Sequence, residues 1–433
     1  MTATLSHQAF ETYQLPNGLT VALTPIPCVR SLAMGLYLQV GARYEKDEEA
    51  GVSHFLEHMA FKGCRGWPTA LDIANAVEGR GGYLNASTSY EFTTFWVKIG
   101  ARHWRESLHL LASMVLHPLL DPDEMARERG VILDEIAMYR DVPEDLVSQL
   151  GNKAMWGEHP LGREIAGELE RVAALSREAL SAFHARAYRP ERAVLTLAGA
   201  MDPSAVRRAI EEAFGGWRGE GEAPEMPPAP PAPSHPPYRI ARRNSEQAHL
   251  QLAVPGLPRM HPQRFVLRLL NVMAGEGMSS RLWQRLREER GLTYNIGSFT
   301  NTFHDAGILG VYGGCDAARL FEALDGVMAV WEEIQARPAS EEELNRFKEY
   351  LRGRTELASE DTMSVAAWWG MQLAAGAKPM SLDEVLAKIE AVTPEEVQQL
   401  ARQLWRRDRL ALGYVGPIDS EQRLIDWLAA SNR

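Results

Sequence analysis

The chain has 433 residues and carries 46 Lys and Arg against 57 Asp and Glu, a formal net charge of −11. That balance, with no basic stripe and no RNA-binding motif, argues against nucleic acid as a partner, and no run of about 18 apolar residues marks a membrane span. An apolar content of 45% in a chain of this length exceeds what one core usually holds, so two or more domains are expected.

The first ten residues contain neither a basic n-region nor an apolar h-region, so the expectation is a soluble, cytoplasmic chain without a leader. Strands are expected at Gly18–Leu23 and Ser31–Val40, where short apolar and β-branched runs are bounded by turn residues. His54-Phe55-Leu56-Glu57-His58 then places two imidazoles four positions apart, one above the other on a helix, within reach of one ion at about 2.0–2.1 Å. Glu57 shares that face, where a carboxylate can take a proton from water and return it to a leaving amine. A catalytic zinc site needs a third protein ligand. Glu128 and Glu135, two helical turns apart in the run from Glu124 to Ile136, offer one carboxylate to bind and one to orient the site. Glu124 and Asp134 compete for those roles, although Asp134 points about 100° away from Glu135. Cys64, six residues after His58, is a weaker candidate ligand, because a His-His-Glu set is already complete. Cys28, Cys64 and Cys315 are odd in number and widely spaced, which speaks against a disulfide framework and for a reducing compartment.

Further along, Ala193–Gly199 reads as a strand leading to a helix from Pro203. Residues 219–237 are Pro-rich and acidic and read as a semi-rigid linker between a first half, 1–218, and a second, 238–433. The halves repeat at an offset of 217 residues: Leu169, Glu178, Arg192, Gly199 and Asp202 answer to Leu386, Glu395, Arg409, Gly416 and Asp419. In both copies a helix leads to an apolar strand, Gly-x-x-Asp and another helix, and Asp121–Met125 matches Ala339–Leu344 as a helix opening. Strands at Ala248–Val254, Ala306–Tyr312 and Leu410–Gly416 complete the second half, with a helix from Ser420 to Ala429. The expected fold is α+β: two homologous sandwich halves, each a mostly antiparallel sheet covered by helices on one face, in a clamshell arrangement. The offset carries His54, Glu57 and His58 onto Asn271, Ala274 and Gly275, so the second half is expected to bind no metal. Gly215-Gly216 and Gly313-Gly314 read as turns rather than nucleotide loops. His159–Arg163 reads as a structural turn, and Trp368, Trp369 and Met371 as core or interface.

His54-x-x-Glu57-His58, followed by Glu135 77 positions after His58, resembles the zinc signature of the M16 peptidases, the group of pitrilysin, insulin-degrading enzyme and the mitochondrial processing peptidase. The resemblance implies His54, His58 and Glu135 as ligands of one Zn2+ per chain, Glu57 as general base and Glu128 as a supporting carboxylate. Gly81-Gly82-Tyr83-Leu84-Asn85-Ala86-Ser87-Thr88 is similar to the family's edge strand, on which an extended substrate lies by β-augmentation, with Asn85 and Ala86 against its backbone. Arg281–Tyr294 looks like the family's C-terminal signature, implying Arg287 and Tyr294 as substrate-holding and oxyanion-stabilising groups. The activity so implied is that of a zinc endopeptidase acting on peptides in a closed chamber. Because both signatures sit on one chain, a homodimer is expected, with a heterodimer with a related subunit as the alternative. A non-catalytic structural or regulatory subunit is the second functional class.

Overall fold

The computed structural model describes residues 10–233 and 236–430. The expectation of no leader concerns mostly residues 1–9, and the linker includes residues 234 and 235; all of these lie outside the described residues.

The first half runs β1 (Glu11–Gln14), β2 (Thr20–Pro25), β3 (Ser31–Leu38), α1 (Val52–Ala60), α2 (Ala70–Val77), β4 (Tyr83–Thr88), β5 (Thr93–Gly100), α3 (Trp104–Leu116), α4 (Pro122–Asp141), α5 (Pro143–Trp156), α6 (Leu169–Ala174), α7 (Arg177–Ala187), β6 (Ala193–Gly199) and α8 (Pro203–Phe214). The second runs β7 (Tyr238–Arg242), β8 (Gln247–Pro255), α9 (Arg264–Gly275), β9 (Thr293–Thr302), β10 (Gly307–Asp316), α10 (Leu320–Ala336), α11 (Glu341–Ser359), α12 (Thr362–Ala374), α13 (Leu382–Glu390), α14 (Pro394–Leu404), β11 (Ala411–Gly416) and α15 (Glu421–Ala430). Local chemistry sets many of these boundaries. Thr69 and Asp72 form a reciprocal capping box at α2, as do Thr393 and Glu396 at α14. Asp202 caps α8 ahead of Pro203, whose missing N–H costs nothing at that position.

Two sheets result, ordered β1-β2-β6-β3-β5-β4 and β7-β11-β8-β10-β9. In order across the sheet, β2, β6, β3, β5 and β4 correspond to β7, β11, β8, β10 and β9, and the single parallel pairing recurs in each copy, β2 with β6 and β7 with β11. The remaining pairs are antiparallel. The repeat inferred from spaced residues is thus a repeat of strand order, β1 being an addition to the first sheet.

The compact units depart from the sequential halves. One comprises residues 1–136, 164–227 and 354–382; the other comprises 137–163, 228–353 and 383–433. Each sheet therefore carries helices on both faces rather than one. In the first unit the main core packs Phe55, Leu110, Leu111 and Ile210 against Leu36, Phe95 and Leu195. On the reverse face α12 sets Val365, Ala366 and Trp369 against Ala33 and Ala198. In the second unit Leu270, Val327 and Trp331 pack against Leu252 and Val311, while α5 covers β8 and β11 from the other side. A sheet with apolar residues on both faces needs this second layer, since burying apolar area is favourable at about 25 cal/mol per Å2.

No helix or strand occurs in residues 219–233, as expected of the Pro-rich run. Three arginines of the first unit fasten it: Arg189 Nη1 donates to Gly221 O, Arg192 Nη1 to Pro224 O, and Arg43 Nε and Nη2 to Pro227 O.

Candidate metal centre

The site begins with the way α1 is started. Gly51 has φ +94°, a left-handed conformation that favours glycine, and a Cβ there would meet Ala166 O at 2.7 Å. Buried Glu45 accepts from the amides of Gly51 and Ser53, both at 2.8 Å, satisfying N–H groups at the helix start that would otherwise be unpaired. Val52, Phe55, Leu56, Met59 and Ala60 then face the core, which turns His54, Glu57 and His58 to the opposite side.

His54 Nε2 and His58 Nε2 stand 3.2 Å apart, and Glu135 Oε2 lies 3.5 Å from His58 Nε2 and 3.9 Å from His54 Nε2. Among the described residues this is the group of His, Cys, Asp and Glu whose ligand atoms converge tightly enough to hold a metal ion. Two nitrogens on a tetrahedral zinc at about 2.0–2.1 Å would be about 3.3 Å apart, so the observed spacings suit zinc with little movement. Burial, and after it the neighbouring His58, pushes His54 down to about 4, which leaves a neutral imidazole as metal binding requires. Its Nδ1 is buried with no hydrogen-bond partner among the described residues.

Behind the group, buried Glu128 joins His58 Nδ1 at 2.8 Å through Oε1 and Lys62 Nζ at 2.5 Å through Oε2. It touches the ring nitrogen remote from Glu135, a carboxylate–histidine arrangement that fixes tautomer and ring orientation. Of the competing carboxylates, Asp134 is exposed and Glu124 pairs with Arg127. Cys64 is buried in a short bridge with Trp67 and Pro118, its thiol pushed up by burial.

Glu57 sits beside the side chains of His54, His58 and Glu135. Burial raises its carboxyl above the ordinary range, while a hydrogen bond from Thr88 and the charge of His58 pull it back down. Thr88 Oγ1 donates to Glu57 Oε2 at 2.5 Å. Thr88 closes β4, the outer strand of its sheet, and among the described residues β4 has one backbone edge without a strand neighbour. Asn85 is exposed on that strand and its Oδ1 accepts from the Ala86 amide at 2.8 Å; Ala86 itself is buried.

Arg287 and Tyr294 lie in the second unit, at a π-helical segment, Trp283–Glu288, and at the start of β9. The Arg287 guanidinium carbon is 3.9 Å from the Trp283 ring centroid and 5.1 Å from that of Tyr294, whose surface is 79% exposed. Trp283 is in turn tied by its Nε1 to Glu288 at 3.0 Å. Sequence reasoning missed the contacts of Glu45, Lys62, Thr88 and Trp283: those of Lys62 and Thr88 cross long sequence separations, and the cap by Glu45 and the stacking of Trp283 on Arg287 match no short motif.

The chain is similar to known proteins in family and in fold. A family model described as Insulinase (Peptidase family M16) matches residues 20–169, and one described as Peptidase M16 inactive domain matches residues 174–351. Among solved structures, a protease from Helicobacter pylori superposes with a TM-score of 0.88 at 20% identity, covering 94% of this chain and 99% of that one. An M16 inactive domain protein from Pseudomonas fluorescens superposes with a TM-score of 0.86 at 21% identity, covering 95% of this chain and 99% of that one; these likenesses establish the fold. An uncharacterized zinc protease of Streptomyces coelicolor is 34% identical over 422 residues, 96% of this chain and 92% of its own length. The uncharacterized zinc protease YmxG of Bacillus subtilis is 35% identical over 405 residues, 94% of this chain and 98% of its own, and with two M16 models in tandem this chain belongs to peptidase family M16.

Proposed function

We propose that the protein is a zinc endopeptidase, one Zn2+ per chain, that hydrolyses peptides bound in extended form along β4. The observation that carries this reading is the convergence of His54, His58 and Glu135 with Glu57 beside them. Zinc held by those three ligands supplies a Lewis acid that polarises the scissile carbonyl and the attacking water. Glu57 takes the water proton on its carboxylate and delivers it to the nitrogen of the departing amine, as the water oxygen bonds to the carbonyl carbon and the C–N bond breaks. Glu128, braced by Lys62, holds the His58 ring in the orientation that presents Nε2. The free edge of β4 supplies main-chain hydrogen bonds to a peptide with little demand on its sequence, with Asn85 and Ala86 against the peptide backbone. Arg287 and Tyr294 are assigned to substrate oxygens, as charge and hydroxyl donor respectively.

Metal binding and proton transfer are assigned to the first half, where His54, His58 and Glu135 converge. No helix among the described residues is long and apolar enough to cross a membrane. The reading further takes the chain as a cytoplasmic homodimer, self-sufficient because both signatures lie on it. The test is metal content together with cleavage of a mixed peptide library, for protein purified without added zinc and for its His58→Ala variant. About one zinc per chain and peptide cleavage in the parent, both lost in the variant, is the expected outcome. A parent with zinc that cuts nothing would favour a non-catalytic or partner-dependent subunit.

A further inference from the structure

The strand proposed to carry the peptide ends at the residue that touches the proposed base. Thr88 is the last residue of β4, and its hydroxyl reaches Glu57 Oε2 at 2.5 Å. A glutamate has three side-chain torsions, the last of them broad, so a carboxylate fixed only through its Cα would sample many orientations. Threonine is the opposite: its branched Cβ makes χ1 stiff, so the backbone of β4 decides where its hydroxyl points. The Thr88 hydroxyl thereby holds Glu57 Oε2, and the Thr88 backbone adds a smaller hydrogen-bonding contribution to the same carboxylate.

The end of β4 is itself anchored. The amides of Ala42 and Arg43 donate to Ser89 O and Tyr90 O at 3.1 and 2.8 Å, and Ser89 N donates to Phe92 O at 2.7 Å. Arg43 Nη1 pairs with Glu91 Oε1 at 2.7 Å, with side chains 0% and 3% exposed. Thr88 cannot drift without disturbing a buried ion pair, whose disruption would leave an uncompensated charge.

We propose that Thr88 is a positioning residue that fixes the Glu57 carboxylate to the substrate-binding strand, so that one element sets both the peptide's place and the base's aim. The proposal rests on the peptidase reading above. Proton and electron bookkeeping is unchanged by it: the proton still travels from water to Glu57 and on to the amine nitrogen, and Thr88 keeps its own.

The test compares Thr88→Val, which keeps the branch and loses the hydroxyl, with Thr88→Ser, which keeps the hydroxyl. Zinc per chain and thermal unfolding establish that both variants are folded and loaded. Thr88→Val is expected to lower kcat by about tenfold or more, the scale set by a misplaced reacting group, with KM shifted by less than about twofold, and Thr88→Ser to recover most of the loss. A peptidyl hydroxamate gives a readout apart from turnover, because its acidic proton passes to the same carboxylate; its affinity should fall in Thr88→Val and return in Thr88→Ser. Affinity for an unmodified peptide, read by fluorescence anisotropy on zinc-free protein, should be alike in all three. Thr88→Val as fast as the parent, Thr88→Ser as slow as Thr88→Val, or a loss seen wholly as weaker binding of the plain peptide would each overturn the proposal. If the parent binds the hydroxamate yet cleaves nothing, the peptidase reading fails while the hydroxamate affinities still decide the role of Thr88.

Discussion

The first and second units build the same strand order and part company where a helix faces the outer strand. In the first, α1 presents His54, Glu57 and His58, and Glu57 meets Thr88 of β4 through a hydrogen bond between side chains. In the second, α9 has Asn271, Ala274 and Gly275 at the offset of 217 residues, and β9 packs against it at Gly275. A Cβ on Gly275 would stand 2.4 Å from the backbone nitrogen of Ser298, whose hydroxyl donates to Asn271 O at 2.8 Å. No imidazole fits where backbone packs on backbone. The difference teaches that a metal group here needs more than three ligands at the right spacing: the helix must stand off from the edge strand by the length of the side chains between them.

The strongest test of this contrast is Glu57→Gln. It keeps size and most packing while removing the proton acceptor, so zinc should be retained and kcat should fall by about 10^2–10^4-fold, the range that a positioned general base contributes. Steady-state hydrolysis of a library-derived peptide measures it, and a variant as active as the parent would leave the first unit with no chemical advantage over the second.

Gly275→Ala addresses the other side. The added methyl meets Ser298 backbone and side chain, and overpacking of that kind costs about 1–3 kcal/mol, which a helix-propensity gain of roughly 1 kcal/mol only partly offsets. Urea unfolding should show a lower midpoint with zinc content unchanged. Raised stability would mean that close approach is not what keeps a side chain out of that position.

Glu128→Gln sharpens the account of the first unit. The amide can still accept from His58 Nδ1 but loses the charge that pairs with Lys62 and makes the ring a better donor to metal. Zinc affinity, measured by competition with a chelator, should weaken by about 10–100-fold, with Glu57 and its hydrogen bond to Thr88 left in place.

Much of the contrast was legible beforehand. His54, Glu57 and His58 announce themselves by spacing, and the apolar residues between and around them say which face turns inward; the absence of matching residues at 271, 274 and 275 followed from the same offset. The edge strand was placed by resemblance. What spacing could not convey is contact across distance in sequence: Glu45 capping a helix that starts several residues later, Thr88 reaching Glu57 from another strand, Lys62 bracing a carboxylate on α4. Nor does periodicity tell α5 and α12 that the sheet they cover belongs mainly to the other half of the chain, because an apolar stripe specifies that a face is buried and leaves its partner open.

The smallest expected effect concerns Trp283, for which the first unit has no counterpart in its metal centre. Arg287 lies between two aromatic rings, and with its carbon 3.9 Å from Trp283 the closer ring does most to restrain the guanidinium plane. A cation–π contact at an exposed site contributes about 0.5–1 kcal/mol, so Trp283→Leu should raise KM by roughly two- to fivefold with kcat little changed, while Trp283→Phe, which keeps a ring, should lie between. Because the effect passes through Arg287, it should vanish in an Arg287→Ala background, where a double-mutant cycle reads the coupling directly. An undiminished Trp283→Leu effect in that background would assign the tryptophan to the packing of its π-helical turn and leave Arg287 oriented by Tyr294 and Glu288.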